Sequence, residues 1–542
     1  MGSLGTLRES TMVCVPLMGT SVEELVVEMG EAKMQGADLV EISLDYIKNF
    51  RPREDLKFLL RDRPLPVLLV YRPKWEGGQY EGVEKTRLNA LRLAMELGAD
   101  YIEVELKVAL DFMADTNPNK TVNSKIVVSY HVGSGTPSKE ELSHLVARMQ
   151  STGADIIKLV TCAYDITDLA RVFNLLPYCE VPLIAYSTGD RGLISQLLCP
   201  KFGGFLVYGS LRSNSIPGLP TLESLKQAYR PEYLDSDTKV FGLISNPVGH
   251  SKGPILHNPT FRHVGFNGIY VPMLVDDLKE FFRVYSSSDF AGFSVGIPYK
   301  EAVTECCDEV HPLAQSIGAV NTIIRRPGDG KLIGYNTDCE ASITAIEDTL
   351  RERAWIDEQA SLTSPLSGKQ FVLVGAGGAG RALAFGAKSR GARVLVFDID
   401  YERAKSLAYS VSGEAQHYED LINFRPDKGA ILANATPVGM HPNTDRIPVS
   451  ENSLGVYKLV FDSVYTPRKT RLLKEAEVAG AIVVSGVEMF LRQAMGQFNL
   501  FTGNEGDISF ATVHLTTLPI SSIIFHSKAP HEFMREIVLS KF

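Results

Sequence analysis

The sequence predicts an α/β chain of three units, the first of them a closed barrel of eight βα repeats. Three observations carry this. Short apolar runs alternate with amphipathic stretches eight times within the first 230 residues. A polar, proline-bearing segment, RPEYLDSDT at 230–238, then reads as a linker to a second α/β region. Further on, KQFVLVGAGGAGRALAFGAKSRGARVLVFDID reads as strand, glycine turn, helix and strand.

The eight apolar runs are TMVCVPL (11–17), ADLVEIS (37–43), PVLLVY (66–71), DYIEVEL (100–106), KIVVSY (125–130), DIIKLVT (155–161), VPLIAYS (181–187) and GGFLVYG (203–209). They are nearly continuous and β-branched, as parallel strands covered on both faces require. Amphipathic stretches such as SVEELVVEMGEAKMQ and SKEELSHLVARMQ lie between them. Eight such repeats match a (β/α)8 barrel; an open eight-stranded sheet is the alternative.

In the second region the expected strands are 239–245, 267–273 and 290–296, and the region closes near Tyr335. The expected division is therefore 1–230, 239–336 and 337–506. Residues 507–528, DISFATVHLTTLPISSIIFHSK, have no helical period and read as a poorly ordered insert. Helices are expected on either side, near 487–501 and 529–542, packing back on the second domain.

Composition narrows the function classes. With 44% hydrophobic residues over 542 positions, the chain can build several cores. A net charge of −9 gives no electrostatic reason to coat nucleic acid or an anionic membrane. No apolar run approaches the ~18 residues of a membrane helix. The seven cysteines are odd in number and lack CxxC spacing, so they read as reduced thiols. The first ten residues resemble neither a signal nor a transit segment. A cytoplasmic monomer is expected, or a plastid protein if a transit segment has been removed.

GAGGAG at 375–380 satisfies GxGxxG between a strand and a helix. Its glycines, Gly375, Gly377, Gly378 and Gly380 with Ala379, permit a tight turn and close approach to a pyrophosphate. Asp398 ends the next strand about twenty residues on, where an acid accepts from ribose hydroxyls. It would repel a 2′-phosphate, so NAD is expected, with NADP as the alternative. The competing reading is that Asp398 only caps the next helix while an arginine binds a phosphate. Lys300 and Asp338 each follow a strand. A Lys–Asp pair can take an alcohol proton as hydride leaves, although spacing alone also suits two solvated caps.

Eight motifs in order, NPVGHSKGPILHN, SVGIPYKE, GAVNT, GYNTD, GAGGAG, NATPVGM, YTPRKTRLL and GVEMFLRQA, resemble those of shikimate dehydrogenases. The first 230 residues resemble type I 3-dehydroquinate dehydratase, a (β/α)8 barrel. Fused in this order, they resemble the plant bifunctional dehydroquinate dehydratase–shikimate dehydrogenase family. The resemblance implies a shikimate dehydrogenase-like module of two domains, the second with a Rossmann fold. It makes Lys300 and Asp338 the catalytic pair and assigns substrate contacts to Asn321, Tyr465 and Gln493. The NATPVGM motif brings Asn434, Thr436, Gly439 and Met440 to the cofactor. In the barrel it makes Lys158 the imine-forming lysine and His131 the general base, with Glu41, Arg72 and Glu76 at the substrate. A lysine inside an apolar strand is expected to have a pKa lowered by burial.

Departures from the family pattern sharpen the expectation. The Ser-Lys-Ser run reads Ser251-Lys252-Gly253, and the threonine of the TIPHK-type motif reads Gly296. Both changes remove side chains from one substrate pocket and suit quinate, whose carbon 1 is tetrahedral and carries an extra hydroxyl. Asp398-Ile399-Asp400 stands where NADP-linked relatives place an Asn-Arg-Ser/Thr run. In the barrel, Ser43 and Gln196 replace arginines and Leu219 replaces a glutamine, with Arg212 the candidate substitute cation. Losing carboxylate ligands of this kind weakens binding.

The expected function is an NAD-dependent quinate dehydrogenase, with weaker action on shikimate and an impaired dehydratase barrel. Its substrates would be quinate, shikimate, 3-dehydroquinate and 3-dehydroshikimate, with no metal and no nucleic-acid partner. The alternatives are an ordinary bifunctional dehydratase and NADP-linked shikimate dehydrogenase, and a non-catalytic metabolite sensor.

Overall fold

The computed structural model describes residues 11–115, 123–212, 218–249, 251–353, 363–503 and 528–541. The insert expected at 507–528 lies outside them but for its last residue. The chain divides into two compact units. One comprises Met1–Val240, Val248–His250 and Asn267–Asp289, and the other Phe241–Pro247, Ser251–Phe266 and Phe290–Phe542.

The first unit holds the barrel. Its strands are β1 (Met12–Leu17), β2 (Leu39–Ser43), β3 (Val67–Val70), β4 (Tyr101–Glu105), β5 (Lys125–His131), β6 (Ile156–Cys162), β7 (Leu183–Thr188) and β8 (Leu206–Tyr208). They follow the order β7-β6-β5-β4-β3-β2-β1-β8, every pair parallel. A hydrogen bond from Phe205 N–H to Leu183 O, 3.0 Å, bridges the seam between β7 and β8. The sheet is therefore a nearly closed barrel, and the open-sheet alternative falls. Cys14, Leu68, Val127, Ile156, Ile184 and Tyr208 pack together in one buried cluster.

Local chemistry places the outer helices. Ser21 Oγ accepts the Glu24 N–H at the start of the helix Val22–Met34. Ser138 and Glu141 form a reciprocal capping box ahead of Lys139–Gln150. The same unit carries strand β10 (Gly268–Leu274), which follows β9 (Lys239–Ser245) in sequence.

A second sheet has six strands, among them β11 (Phe290–Val295), β12 (Glu309–Val310), β13 (Thr322–Arg325) and β14 (Leu332–Tyr335). β13 pairs antiparallel with both β11 and β14, and β14 pairs parallel with β12.

The third sheet is fully parallel. Its strands are β15 (Gln370–Val374), β16 (Arg393–Asp398), β17 (Glu414–His417), β18 (Ile431–Asn434), β19 (Leu459–Asp462) and β20 (Ile482–Val484). Their order is β17-β16-β15-β18-β19-β20, the doubly wound arrangement of a Rossmann fold. Buried clusters cover both faces, one around Leu373, Val396 and Leu383, the other around Val372, Leu395 and Leu432. The helix Gly486–Phe501 runs back to the second sheet, where Phe498 stacks on Phe261 at 5.4 Å. In the helix Lys528–Lys541, Phe533 stacks on His263 at 4.3 Å.

Candidate active sites

Lys158 sits in mid-β6 with its side chain wholly buried. Its Nζ donates to Glu41 Oε2 at 2.7 Å and to Glu103 Oε2 at 2.8 Å. Tyr208 O–H donates to the same Glu41 oxygen at 2.5 Å, and Arg72 Nη2 donates to Glu103 Oε1 at 2.9 Å. Two cations and two carboxylates are thus interleaved, as buried charges require. His131 ends β5, and its backbone N–H donates to Glu76 Oε1 at 2.7 Å. Its Nδ1 lies 3.6 Å from that oxygen. Of the barrel residues expected at the site, Lys158 and Glu41 project from the middle of β6 and β2, whereas His131 ends β5 and Arg72 and Glu76 lie in the loop after β3, at the C-terminal end of the barrel.

One expectation is corrected. Burial alone lowers the Lys158 pKa, but the Glu103 and Glu41 carboxylates outweigh it and hold the group above its ordinary value. Lys158 rests as a clamped ammonium, not as a free amine. Burial, aided by the Arg72 charge, lowers the His131 pKa below its usual 6.5, so the imidazole rests neutral. Glu103 was missing from the sequence reading. Burial resists its ionisation, yet Lys158 and Arg72 hold its pKa well below the carboxylate range.

Two of the three barrel departures make internal contacts. Gln196 is buried, and its Oε1 accepts the Tyr208 N–H at 2.9 Å. Leu219 packs on the apolar barrel cluster. Ser43 is buried at the end of β2. Arg212 exerts its charge on Glu28 of the first helix, lowering a carboxyl that burial raises.

The second unit holds the other site. Lys300 Nζ donates to Asp338 Oδ2 at 2.5 Å. Asp338 is buried in the first turn of the helix Asp338–Arg353, where the helix dipole favours a carboxylate. Asn321 Nδ2 donates to Thr337 Oγ1 at 2.8 Å, and Asn321 Oδ1 accepts the Thr337 N–H at 2.9 Å. That pair fixes the turn presenting Asp338. Gln493 joins the cluster through its backbone, its carbonyl accepting from Thr337 Oγ1 at 3.1 Å. Burial, with the Asp338 charge adding to it, holds the Tyr465 phenol above its ordinary pKa. Ser251 Oγ accepts the Gly253 N–H at 3.1 Å, opening the helix Gly253–His263.

The glycine turn fits a dinucleotide. Gly375 has φ +104°, and a Cβ on Gly380 would lie 2.0 Å from Gly375 O, so neither position accepts a side chain. A Cβ on Gly378 would meet Lys300 Cβ at 2.8 Å, which sets the turn beside the Lys300–Asp338 pair. Asp398 Oδ2 accepts the Ala376 N–H at 2.6 Å. Asp400, not Asp398, caps the following helix Tyr401–Ser410 by accepting the Arg403 N–H. Arg403 also pairs with Glu301.

Asn434 spends its side chain within the protein. Its Nδ2 donates to Asp462 Oδ1 at 3.0 Å, and its Oδ1 accepts from Thr436 N–H and Oγ1. Its place is to shape the 435–440 loop, where Gly439 has φ +90° and Met440 N–H donates to Pro437 O.

A buried lysine clamped by carboxylates at the centre of a barrel, and a Lys–Asp pair beside a glycine turn on a Rossmann sheet, define an α/β chain with two separate charged sites, the second of the dinucleotide-binding class. Residues 13–236 match the family described as type I 3-dehydroquinase. Residues 243–323 match the shikimate dehydrogenase substrate binding domain. The chain is 54% identical over 505 residues to the chloroplastic bifunctional 3-dehydroquinate dehydratase/shikimate dehydrogenase of Arabidopsis thaliana, covering 93% of this chain and 84% of that one. It is 38% identical over 286 residues to the NADP(+) shikimate dehydrogenase of Methanopyrus kandleri, covering 51% of this chain and 94% of that one. A solved quinate dehydrogenase from Corynebacterium glutamicum with NAD is 27% identical, with a TM-score of 0.45 over 56% of this chain and 99% of its own. The chain belongs to the bifunctional 3-dehydroquinate dehydratase/shikimate dehydrogenase family. The quinate-dehydrogenase branch expected from the sequence is not established by these likenesses.

Proposed function

We propose that the chain dehydrates 3-dehydroquinate in the barrel and interconverts a shikimate-class hydroxyl and ketone in the second unit. The observation that carries this is the presence of two assembled charge clusters, Lys158 with Glu41, Glu103 and Arg72, and Lys300 with Asp338. In the barrel, Lys158 must first pass its proton to a neighbour. Its amine then adds to the ring ketone and water leaves. The resulting imine acidifies the adjacent C–H, and neutral His131 takes that proton. The hydroxyl on the next ring carbon then leaves as water with the proton His131 returns, and a second water hydrolyses the imine to free Lys158 and the dehydrated ketone. In the second unit Lys300 and Asp338 hold the reacting hydroxyl and exchange its proton. A bound nicotinamide supplies the hydride chemistry. The Gly375–Gly380 turn and Asp398 would hold that cofactor. Four proteins test the reading: the parent, Lys158→Ala, Lys300→Ala and the double variant. Loss of dehydration alone in the first variant and of nucleotide reduction alone in the second supports it. Dehydration that survives Lys158→Ala would count against it.

A second reading, quinate with NAD, is favoured by Gly253, Gly296 and Asp398. The two glycines suit a bulkier carbon 1, and the acid beside the turn suits an unphosphorylated ribose. Ser43, Gln196 and Leu219 support a slow dehydratase to go with it, since none of the three carries the charge of an arginine and Leu219 packs on the apolar cluster. Initial rates with quinate or shikimate, each with NAD or NADP, separate the readings. An advantage for shikimate with NADP sinks the second.

A further inference from the structure

We propose that Ser245 determines ring specificity together with Gly296, because its side chain occupies the volume that any side chain at 296 would need. The proposal rests on the reading that position 296 borders the substrate ring. A Cβ built on Gly296 would lie 2.7 Å from Ser245 Oγ, 3.0 Å from Ser245 Cβ and 3.4 Å from Leu243 Cδ1. The first distance is shorter than any real contact of this kind, so one partner must move. The Gly296 backbone is no obstacle, because its φ lies outside the left-handed region. Exclusion at 296 is therefore a property of its neighbour.

Ser245 has little freedom to yield. It ends β9, is 5% exposed, and its Oγ lies 2.9 Å from Pro247 O and 2.8 Å from Ile297 O. Its single proton serves those two carbonyls, which belong to the loop after β9 and the loop after β11. Ile297 O also accepts the Asn246 N–H at 3.1 Å, and Gly296 N–H donates to Ile244 O at 2.8 Å. Rotating the hydroxyl away would withdraw its donor from both carbonyls. The serine thus fills the space left by the missing threonine and ties together the loops that flank it. Gly296 is not simply an enlarged cavity. The space gained for a substrate is what remains beyond the Ser245 hydroxyl, and residues 245 and 296 must change together.

The test is a double-mutant cycle on the full chain with Ser245→Gly, Gly296→Thr and the pair. Thermal midpoint and kcat/KM for quinate and for shikimate are read with saturating nicotinamide cofactor. Gly296→Thr alone should lower the midpoint and reduce kcat/KM about tenfold or more on both rings. Adding Ser245→Gly should recover most of the midpoint and shift the shikimate-to-quinate ratio about tenfold from the parent. Independent effects in both readouts would overturn the proposal, as would a threonine variant with the parent's midpoint. Coupled midpoints with no turnover of either ring by the parent would overturn the substrate reading instead. Should the threonine variant yield no folded protein, Gly296→Ala carries the same cycle with one added carbon.

Discussion

Glu103 Oε2 lies 2.8 Å from Lys158 Nζ, and this contact, together with that of Glu41, reverses what burial does to the lysine. Burial pushes an amine toward neutrality, whereas two carboxylates within hydrogen-bond reach pull it back to the ammonium. Glu103→Gln keeps the shape and removes one of those charges. Trapping of the substrate imine by borohydride, followed against pH, should therefore shift toward lower pH, because the free amine becomes accessible sooner. An unshifted profile would mean that Glu41 alone sets the lysine. The variant should also lose about 3–5 kcal/mol of stability, as expected when one partner of a buried charge pair is removed.

The Lys300–Asp338 pair makes a different prediction, since Lys300 is partly open while Asp338 is buried at a helix start. Lys300→Ala and Asp338→Asn should each lower kcat by about 10²–10⁴ for either ring, the range for a positioned proton-transfer group. The double variant should fall little further, because two residues acting as a unit are not additive. Thermal midpoints close to the parent would separate lost chemistry from lost folding. A double variant with multiplied losses would count against a shared role.

What the sequence disclosed, and what it hid, divides by range. The barrel strands were readable because each is a continuous apolar run, and the Rossmann turn because its glycines, strand and helix are contiguous. The hairpin of β13 and β14 was overlooked, its strands being only four residues each. Glu103 escaped because an acid in DYIEVEL looks like the polar face of a strand until the barrel closes. The charge state of Lys158 depends on Glu41 and Glu103, which lie 117 and 55 residues away along the chain. No local pattern contains that information. The distinction between Asp398 at the turn and Asp400 at the cap likewise needed the backbone directions of both.

Asp398 predicts nucleotide preference. Its Oδ2 is held by the Ala376 N–H and its Oδ1 accepts the Asp400 N–H at 2.9 Å, so its charge is fixed at the mouth of the glycine turn. A 2′-phosphate placed there would meet that charge, and about 1.4 kcal/mol of repulsion is tenfold in affinity. Asp398→Asn should lower the NAD-to-NADP ratio of kcat/KM by about tenfold. A ratio that does not move would return the choice of nucleotide to other residues of the turn.

His257 makes stability depend on pH. It is buried in the helix Gly253–His263, its ring 5.7 Å from that of Phe501 and 6.1 Å from that of Phe261. Burial pushes its pKa down to about 3. An unfolded histidine takes its proton near 6.5. Between those values the unfolded chain binds one proton more than the folded chain, so stability falls as pH falls from about 6.5 toward about 3. The slope from this one group is at most about 1.4 kcal/mol per pH unit. Above pH 6.5 both states are neutral and the group contributes no slope. His257→Phe should therefore flatten the decline in thermal midpoint between pH 6.5 and 4.5 relative to the parent. Equal slopes in the two proteins would show that His257 is already protonated in the fold.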